Sequence, residues 1–584
     1  MHPRPSRSPR VKNAALSIPV LALAIALAGC GDDDSDTLSG PASVMPGDAP
    51  IYFEFSIRPE GEQAENLDVL LAEFGEIPLI GDVEDPGGLI IEQLEAQAEA
   101  AGVDFSYAED VEPWLGEKVG FSISSAEDAE ESFVAAIETS DEEQAFESIQ
   151  SLFTANESIP YEEGEYEGVS YLSAPGDQFR VGAFDGHVVL APAAEFEAAI
   201  DGSEDDSLAA SDKLTDSLAN LGDDRLAAIF VDLAQFEALA ETPEDAEEFA
   251  QAQAVAPEFF EGGIAISAGV SASDQVYIDY ATPLFEGQPE VAGSPLLETA
   301  PGDSLGAAAL ADIGGYVGPI VDLFERAQEE GAELEDFPEE GIAEAFESET
   351  GIALDDAAAA IGDASLWVRG DLPDGLEVAG EIEVTDTETA AELIEAAEAK
   401  ARDEGEAKIG PPVGGSEVGF SALEPETLGG ISTAGPPGLK EDQGPLGFDP
   451  ESDGFEESQP EPGEDLPFVN IELDGDVIRY GFFLDEEAAT ASDPDGAGDF
   501  SGAEAFAAGQ EAVGDDFEYV GAIDLQPILD EYVGELDVTD AVLGGGSPEE
   551  LAGPFLAGKL GVVAFGQRYE DDVSISRYVL RLAE

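Results

Sequence analysis

Two segments of this chain open on the same turn 255 residues apart, and that repetition constrains the fold more than any overall composition. Pro46-Gly47-Asp48 begins one stretch and Pro301-Gly302-Asp303 the other. Further along, Gly222-Asp223-Asp224 leads through Ile229 and Val231 to Asp232-Leu233. Gly514-Asp515-Asp516 leads through Val520 and Ala522 to Asp524-Leu525, an offset of 292. Repetition of this kind sets the domain count before any local reading. The two offsets differ by 37 residues, and that surplus has a home between Glu404 and Pro467, a Gly-, Pro-, Glu- and Ser-rich stretch with little periodicity. Such composition predicts a disordered insertion at about 405–467. The expected domains are a first repeat over 45–290 and a second over 296–584.

Within each repeat, Ala49–Ile57, Leu226–Leu233, Leu305–Ile313 and Phe517–Leu525 read as strands, each followed by a helical apolar pattern. Helices are predicted over Asn66–Glu73 and Leu89–Ala101, then strands over Lys118–Ile123 and Phe133–Ile137, with Ala364–Arg369 and Glu377–Val384 in the same places of the second copy. Asp141–Phe153 and Asp386–Arg402 read as strong helices, with Ser140 and Thr385 or Thr387 as candidate caps. Strands return at Val169–Ser173, Phe179–Phe184 and His187–Ala191, and at Phe468–Leu473 and Val477–Leu484. Adjacent strands joined by turns, with helices that do not fall between every pair, predict an α+β fold: two tandem duplicated domains, each an antiparallel sheet with packed helices.

Charge and side-chain inventory then restrict the chemistry. The 584 residues carry 132 Asp and Glu against 20 Lys and Arg, yet 43% are hydrophobic and 31 are Phe. The acid therefore does not signal a disordered chain. Exposed carboxylates repel over the Debye length, so salt is expected to stabilise the protein, as in proteins of salt-adapted organisms. A nucleic acid partner is excluded for want of a basic footprint. Beyond residue 29 the chain has one histidine, His187, and one cysteine, Cys30. A disulfide within the chain, a zinc site of Cys and His, and most nucleophilic triads are thereby ruled out. His187 reads as entering a strand from a turn, at a strand edge or partly exposed.

The amino end supplies an address. Arg4, Arg7, Arg10 and Lys12 precede the apolar run Ala14–Ala28, which is too short to cross about 30 Å of hydrocarbon comfortably. Leu27-Ala28-Gly29-Cys30 resembles the lipobox of bacterial lipoproteins, whose cysteine receives a diacylglyceryl group before cleavage on its amino side. The alternative is an ordinary secretory peptide with a chance cysteine. The lipobox reading makes 1–29 a signal peptide cut between Gly29 and Cys30 by lipoprotein processing enzymes, Cys30 the lipidated first residue, and 30–44 an acidic tether. Two acyl chains suffice for stable anchoring on the outer side of the cytoplasmic membrane. The mature chain would hold 16 basic against 132 acidic residues.

Three features together resemble a family of uncharacterised bacterial lipoproteins and membrane-anchored proteins of high-GC Gram-positive type, known only as a domain of unknown function. They are the lipobox with its acidic tether, the opening Met45-Pro46-Gly47-Asp48-Ala49-Pro50-Ile51-Tyr52-Phe53-Glu54, and Asp110-Val111-Glu112-Pro113-Trp114-Leu115-Gly116. The resemblance implies an architecture and no catalytic residues.

Candidate sites are few. Asp493, Asp495, Asp499, Ser501 and Glu504 stand at positions 1, 3, 7, 9 and 12 of a loop with glycine at position 6, close to a calcium loop. Ala497 at position 5 and the stiff Pro494 argue against Ca2+, and Asp201–Asp206 in the first copy lacks the pattern. Gly553–Leu560 nearly spells a phosphate loop, but Leu560 replaces the magnesium-binding hydroxyl and opens a predicted strand where a helix is wanted. A glycoside-cleaving carboxylate pair needs only two acids, and sequence nominates none among 132. Trp114 and Trp367 read as core residues in comparable places of the two copies. No catalytic residue and no required cofactor emerge. The expectation is an envelope-anchored lipoprotein with a non-enzymatic binding or scaffolding role, whose partners are the membrane through Cys30 and an envelope ligand or protein. The alternatives are a carboxylate-dependent extracellular hydrolase and a carrier of lipid or another apolar ligand.

Overall fold

Asp185-Gly186 and Glu167-Gly168 place both central residues of two hairpins at positive φ, the conformation a two-residue turn needs to match the twist of its strands. Turns of this kind and long antiparallel ladders organise the computed structural model. It describes residues 40–59, 61–75, 91, 95, 105–124, 132–155, 161–174, 176, 178–202, 206–221, 225–239, 243–290, 293–329, 341–370, 377–404, 408–409, 419–421, 468–483, 500, 503–529, 559–570 and 572–583. The chain divides into two compact units, one formed by residues 1–231 and 265–274, the other by 232–264 and 275–584.

The first unit contains β1 (Ile51–Ser56), β2 (Leu115–Ile123), β3 (Phe133–Thr139), β4 (Glu162–Tyr166), β5 (Val169–Ser173), β6 (Phe179–Phe184), β7 (His187–Pro192), β8 (Ala227–Val231) and β9 (Ile264–Ala272). The ladders run in the order 8-1-2-3-7-6-5-4, all antiparallel. Leu226 N–H donates to Ala268 O of β9.

The second unit contains β10 (Gln275–Pro283), β11 (Gly306–Leu310), β12 (Ile361–Arg369), β13 (Glu377–Val384), β14 (Lys408–Ile409), β15 (Gly419–Ser421), β16 (Phe468–Asp474), β17 (Val477–Phe483), β18 (Glu518–Asp524), β19 (Leu560–Glu570) and β20 (Val573–Leu582). Their order is 10-20-19-18-11-12-13-17-16-15, antiparallel throughout, with β14 alone parallel to β16. Helices and antiparallel strands in this arrangement make the protein α+β. Strands β14 and β15 fall inside the 405–467 span, and the rest of that span lies outside the described residues.

The order 8-1-2-3-7-6-5 of the first sheet and 18-11-12-13-17-16-15 of the second agree in register. Ile51 pairs with Ile123 and Val231, while Gly306, 255 residues on, pairs with Val368 and Ile523. The repeated Pro-Gly-Asp motif has the same role in each unit. Ala49 N–H donates to Pro46 O and Ser304 N–H to Pro301 O, closing the turn. The carbonyl just before each motif, Met45 O or Ala300 O, accepts from Leu208 N–H or Phe500 N–H. Both Leu208 and Phe500 are buried.

Local readings met the structure with informative exceptions. The helices Glu142–Ala155 and Thr387–Glu404 are present, but their caps are Asp141 and Asp386. Asp141 Oδ1 accepts from Gln144 N–H; Asp386 accepts from the Thr389 hydroxyl at Oδ2 and from Thr389 and Glu388 N–H at Oδ1, and these bonds, the hydroxyl first, hold its carboxyl below its ordinary range. The hydroxyls expected to cap instead donate to preceding carbonyls, Ser140 to Pro113 O and Thr385 to Ala359 O. Strand β4, Glu-Glu-Gly-Glu-Tyr, carries no apolar alternation and was not legible. The helix predicted over Leu89–Ala101 lies outside the described residues except at Ile91 and Glu95, both helical.

Candidate functional site

Side chains alternate across a strand, so each sheet has two faces, and here charge separates them completely enough to define a site. In the second unit one face holds the ion pairs. Arg369 Nε and Nη2 donate to Glu377 at 2.6 and 2.9 Å, Arg479 Nε to Glu381 at 2.9 Å, and Arg577 Nε and Nη2 to Asp279 at 2.7 Å each. Trp367, Ala307 and Ala379 lie on this face in a core with Phe500 and Phe506. The helix Glu504–Val513 packs here against Tyr519 and Ala522, close enough that a Cβ at Gly509 would stand 2.9 Å from the Ala522 methyl.

The opposite face carries no charged residue through its central rows. Register sets Ile278 beside Tyr578, Tyr578 beside Phe565, Ala308 beside Leu366 and Leu310 beside Ala364. Over β13, β17 and β16 this face is covered, because Ala390 and Ile394 of the helix Thr387–Glu404 pack on Ile382, Ile471, Leu473 and Ile478. Over β10, β20, β11 and β12 it is not. Ile278 and Tyr578 are each 46% exposed, Leu366 41%, and Tyr280 and Leu310 38%. Scattered apolar exposure needs no explanation, whereas these five share one face of one sheet.

The first unit divides its faces the same way. Tyr52, Glu54, Lys118 and Glu138 share one face: Lys118 Nζ donates to Glu54 Oε1 at 3.1 Å, Tyr52 Oη to Glu54 Oε2 at 3.0 Å, and the Lys118 N–H to Glu138 Oε2 at 3.0 Å. Burial raises the Glu138 and Tyr52 pKa values, and the nearby Lys118 ammonium opposes this at Glu138. On the other face Phe53, Phe121, Phe133 and Phe179 form a continuous row of ring contacts at 6.3, 5.8 and 5.8 Å, all partly exposed. The same face is closed further along, where Ala145, Phe146 and Ile149 of the helix Glu142–Ala155 pack on Val119, Ile137 and Val188.

Glu54 and Glu138 are two carboxylates that share Lys118 as donor, one through its ammonium and the other through its N–H, and their surroundings are those of a clasp. The turn Pro41–Val44 lies over them. A Cβ at Gly40 would stand 3.0 Å from Glu138 Oε1 and 3.6 Å from Glu54 Oε2, and one at Gly120 only 2.4 Å from Pro41 Cβ.

His187 begins β7 as expected but is buried, not partly exposed. Its Nδ1 stands 2.6 Å from Asp185 O, and burial lowers its pKa. Trp114 and Trp367 are core residues, with Trp114 Nε1 donating to Asp110 O at 2.6 Å. Their places are not comparable, however. Trp114 precedes β2, whereas Trp367 is opposite Ala307 in β11, the position that Tyr52 opposite Ser122 takes in the first unit. The two cores exchange which strand supplies the large ring, and filled volume is what packing conserves.

Cys30 and Gly29 lie outside the described residues, as do Asp493, Asp495, Asp499 and Ser501. Glu504 is the first residue of the helix Glu504–Val513. The loop before Lys559 is also outside, while Leu560 opens β19, a strand as expected. Among the described residues no helix is long and apolar enough to cross a membrane. The family model described as "Protein of unknown function (DUF3352)" matches residues 89–360. No curated protein and no solved structure matches the chain.

Proposed function

We propose that this protein is a lipid-anchored, non-enzymatic binding protein held outside the cytoplasmic membrane by Cys30, and that the open apolar face of the second sheet is where it binds. The observation that carries the reading is the clustering of Ile278, Tyr280, Leu310, Leu366 and Tyr578 on one sheet face whose central rows are uncharged, in a chain of net charge −112. Solubility favours charge on every accessible surface, so an uncharged exposed strip is retained against that tendency. The shared strand order and register support the further reading that the chain arose by tandem duplication, with repeats at 45–290 and 296–584.

The Phe53–Phe121–Phe133–Phe179 row favours a second reading, carriage of a lipid or other apolar ligand. Both readings are tested with Nile red, a neutral apolar dye. Fluorescence enhancement by the mature chain that falls at least fivefold in Ile278→Ser/Tyr578→Ser supports the second-unit face. A loss confined to Phe121→Ser/Phe133→Ser supports the carrier, and enhancement unchanged in both variants refutes the two together. For the anchor, Cys30→Ala moves the protein from the membrane to the soluble fraction.

A further inference from the structure

The open face of the second sheet has a chemical partner written into its surroundings. Every arginine in the strands that build this face, Arg369, Arg568, Arg577 and Arg581, alternates onto the opposite, ion-paired side. Three of them are committed there to carboxylates: Arg369 to Glu377, Arg577 to Asp279 and Arg581 to Glu511. The charge bordering the open face is acidic. Glu518 lies opposite Gln567, in the row next to Phe565 and on the same side of the sheet, and is exposed. Asp312 follows β11 just past Leu310, and exposed Asp572 sits in the β19–β20 turn at the same strand end as Glu518.

An apolar strip bordered by carboxylates on a strongly anionic protein selects an occupant with apolar side chains along one side and positive charge along the other. We infer that this face docks a basic amphipathic segment of another envelope protein, its apolar side on Ile278, Tyr280 and Tyr578 and its lysines or arginines toward Glu518 and Asp572. The inference rests on the reading of this face as the binding site and adds the chemistry of the occupant. An acidic segment is repelled by the rim, and an anionic amphiphile meets no arginine of these strands, since all four alternate onto the other side. A helix lying on this face meets it through apolar residues at i, i+3, i+4 and i+7.

The test uses the mature chain and two synthetic amphipathic peptides with the same Leu/Phe side, one with lysines on its polar side and one with glutamates, read by fluorescence anisotropy. The lysine peptide is expected to bind at least tenfold more tightly at low salt and to weaken as NaCl rises. Ile278→Ser/Tyr578→Ser, which leaves the net charge unchanged, should weaken it at least tenfold, and Glu518→Gln/Asp572→Asn about threefold. Circular dichroism of each variant checks the fold. Equal binding of the lysine peptide to the parent and to Ile278→Ser/Tyr578→Ser would mean bulk charge attraction and overturns the inference. Equal affinity for both peptides, lost in the serine variant, overturns the basic partner but leaves the binding face standing. Nile red enhancement equal in the serine variant and the parent removes the face itself. Nile red binding without peptide binding assigns the face to a small apolar ligand instead.

Discussion

Arg577 grips the fully buried carboxylate of Asp279 through two parallel hydrogen bonds of 2.7 Å, and its guanidinium stacks between Tyr277 and Phe517, 4.7 and 4.2 Å from the ring centroids. The bidentate geometry and the two rings fix the pair at the β10–β20 ladder. Removing Arg577 leaves the Asp279 carboxylate buried without its partner. Arg577→Ala is therefore expected to cost about 3–5 kcal/mol, seen as a lower urea midpoint. A loss below about 1 kcal/mol would show that this pair is as weakly coupled as a surface one.

Trp114 and Trp367 are the only tryptophans, and each is buried in the core of a different unit. Trp114→Phe leaves emission that reports the second unit alone, and Trp367→Phe leaves the first. Both single-Trp proteins should emit to the blue and shift to the red on unfolding. Trp367→Ala is expected to cost about 3–5 kcal/mol, because Ala307 opposite cannot fill the void. Acrylamide quenching of the native protein checks burial directly, and strong quenching of either residue would contradict its place in the core.

His187 and Glu138 face each other across β3 and β7 and titrate in opposite senses. Burial holds the imidazole below its ordinary 6.5. Its contribution to stability is thus present above pH 6.5 and lost as pH falls through the folded value. His187→Gln should narrow the gap between melting temperatures at pH 8 and pH 5. Burial raises the Glu138 carboxyl, with Lys118 opposing and Glu117 adding to the rise. That contribution is present below the ordinary carboxylate value and lost as pH rises through the folded one. Glu138→Gln should therefore match the parent near pH 4 and gain on it toward pH 7. Parallel melting curves for parent and variants across this range would refute both assignments.

With 132 acidic against 20 basic residues, repulsion between exposed carboxylates opposes compaction at low ionic strength. The melting temperature should climb steadily as NaCl is raised from a few millimolar to molar concentrations. A salt-independent melt would mean that the carboxylates are spaced widely enough for repulsion to be negligible.

Much of the fold was legible because its signals are local. Alternation located β1, β6, β7 and β13 to within a residue or two, and the Pro-Gly-Asp repeat marked turns whose hydrogen bonds prove equivalent in both units. The expected caps, Ser140 and Thr385 or Thr387, stand one residue from the aspartates that take the role, since serine, threonine and aspartate compete for the same N–H groups and the winner depends on which carbonyl lies nearby. Strand β4 was missed because its side chains do not alternate: the ladder to β5 makes it a strand.

The candidate site was not legible, and the reason is physical. Val276-Tyr277-Ile278-Asp279-Tyr280 offers apolar side chains at both parities, so sequence cannot say which side meets solvent. By itself the sequence determined where most of these strands and helices form, that a Pro-Gly-Asp motif recurs, and that the charge is overwhelmingly negative. Only the tertiary structure decided that Asp279 turns inward to Arg577 while Ile278 and Tyr280 turn outward beside Tyr578. Burial belongs to a face, and a face exists only once ladders far apart in sequence have closed and a helix has or has not come to cover them.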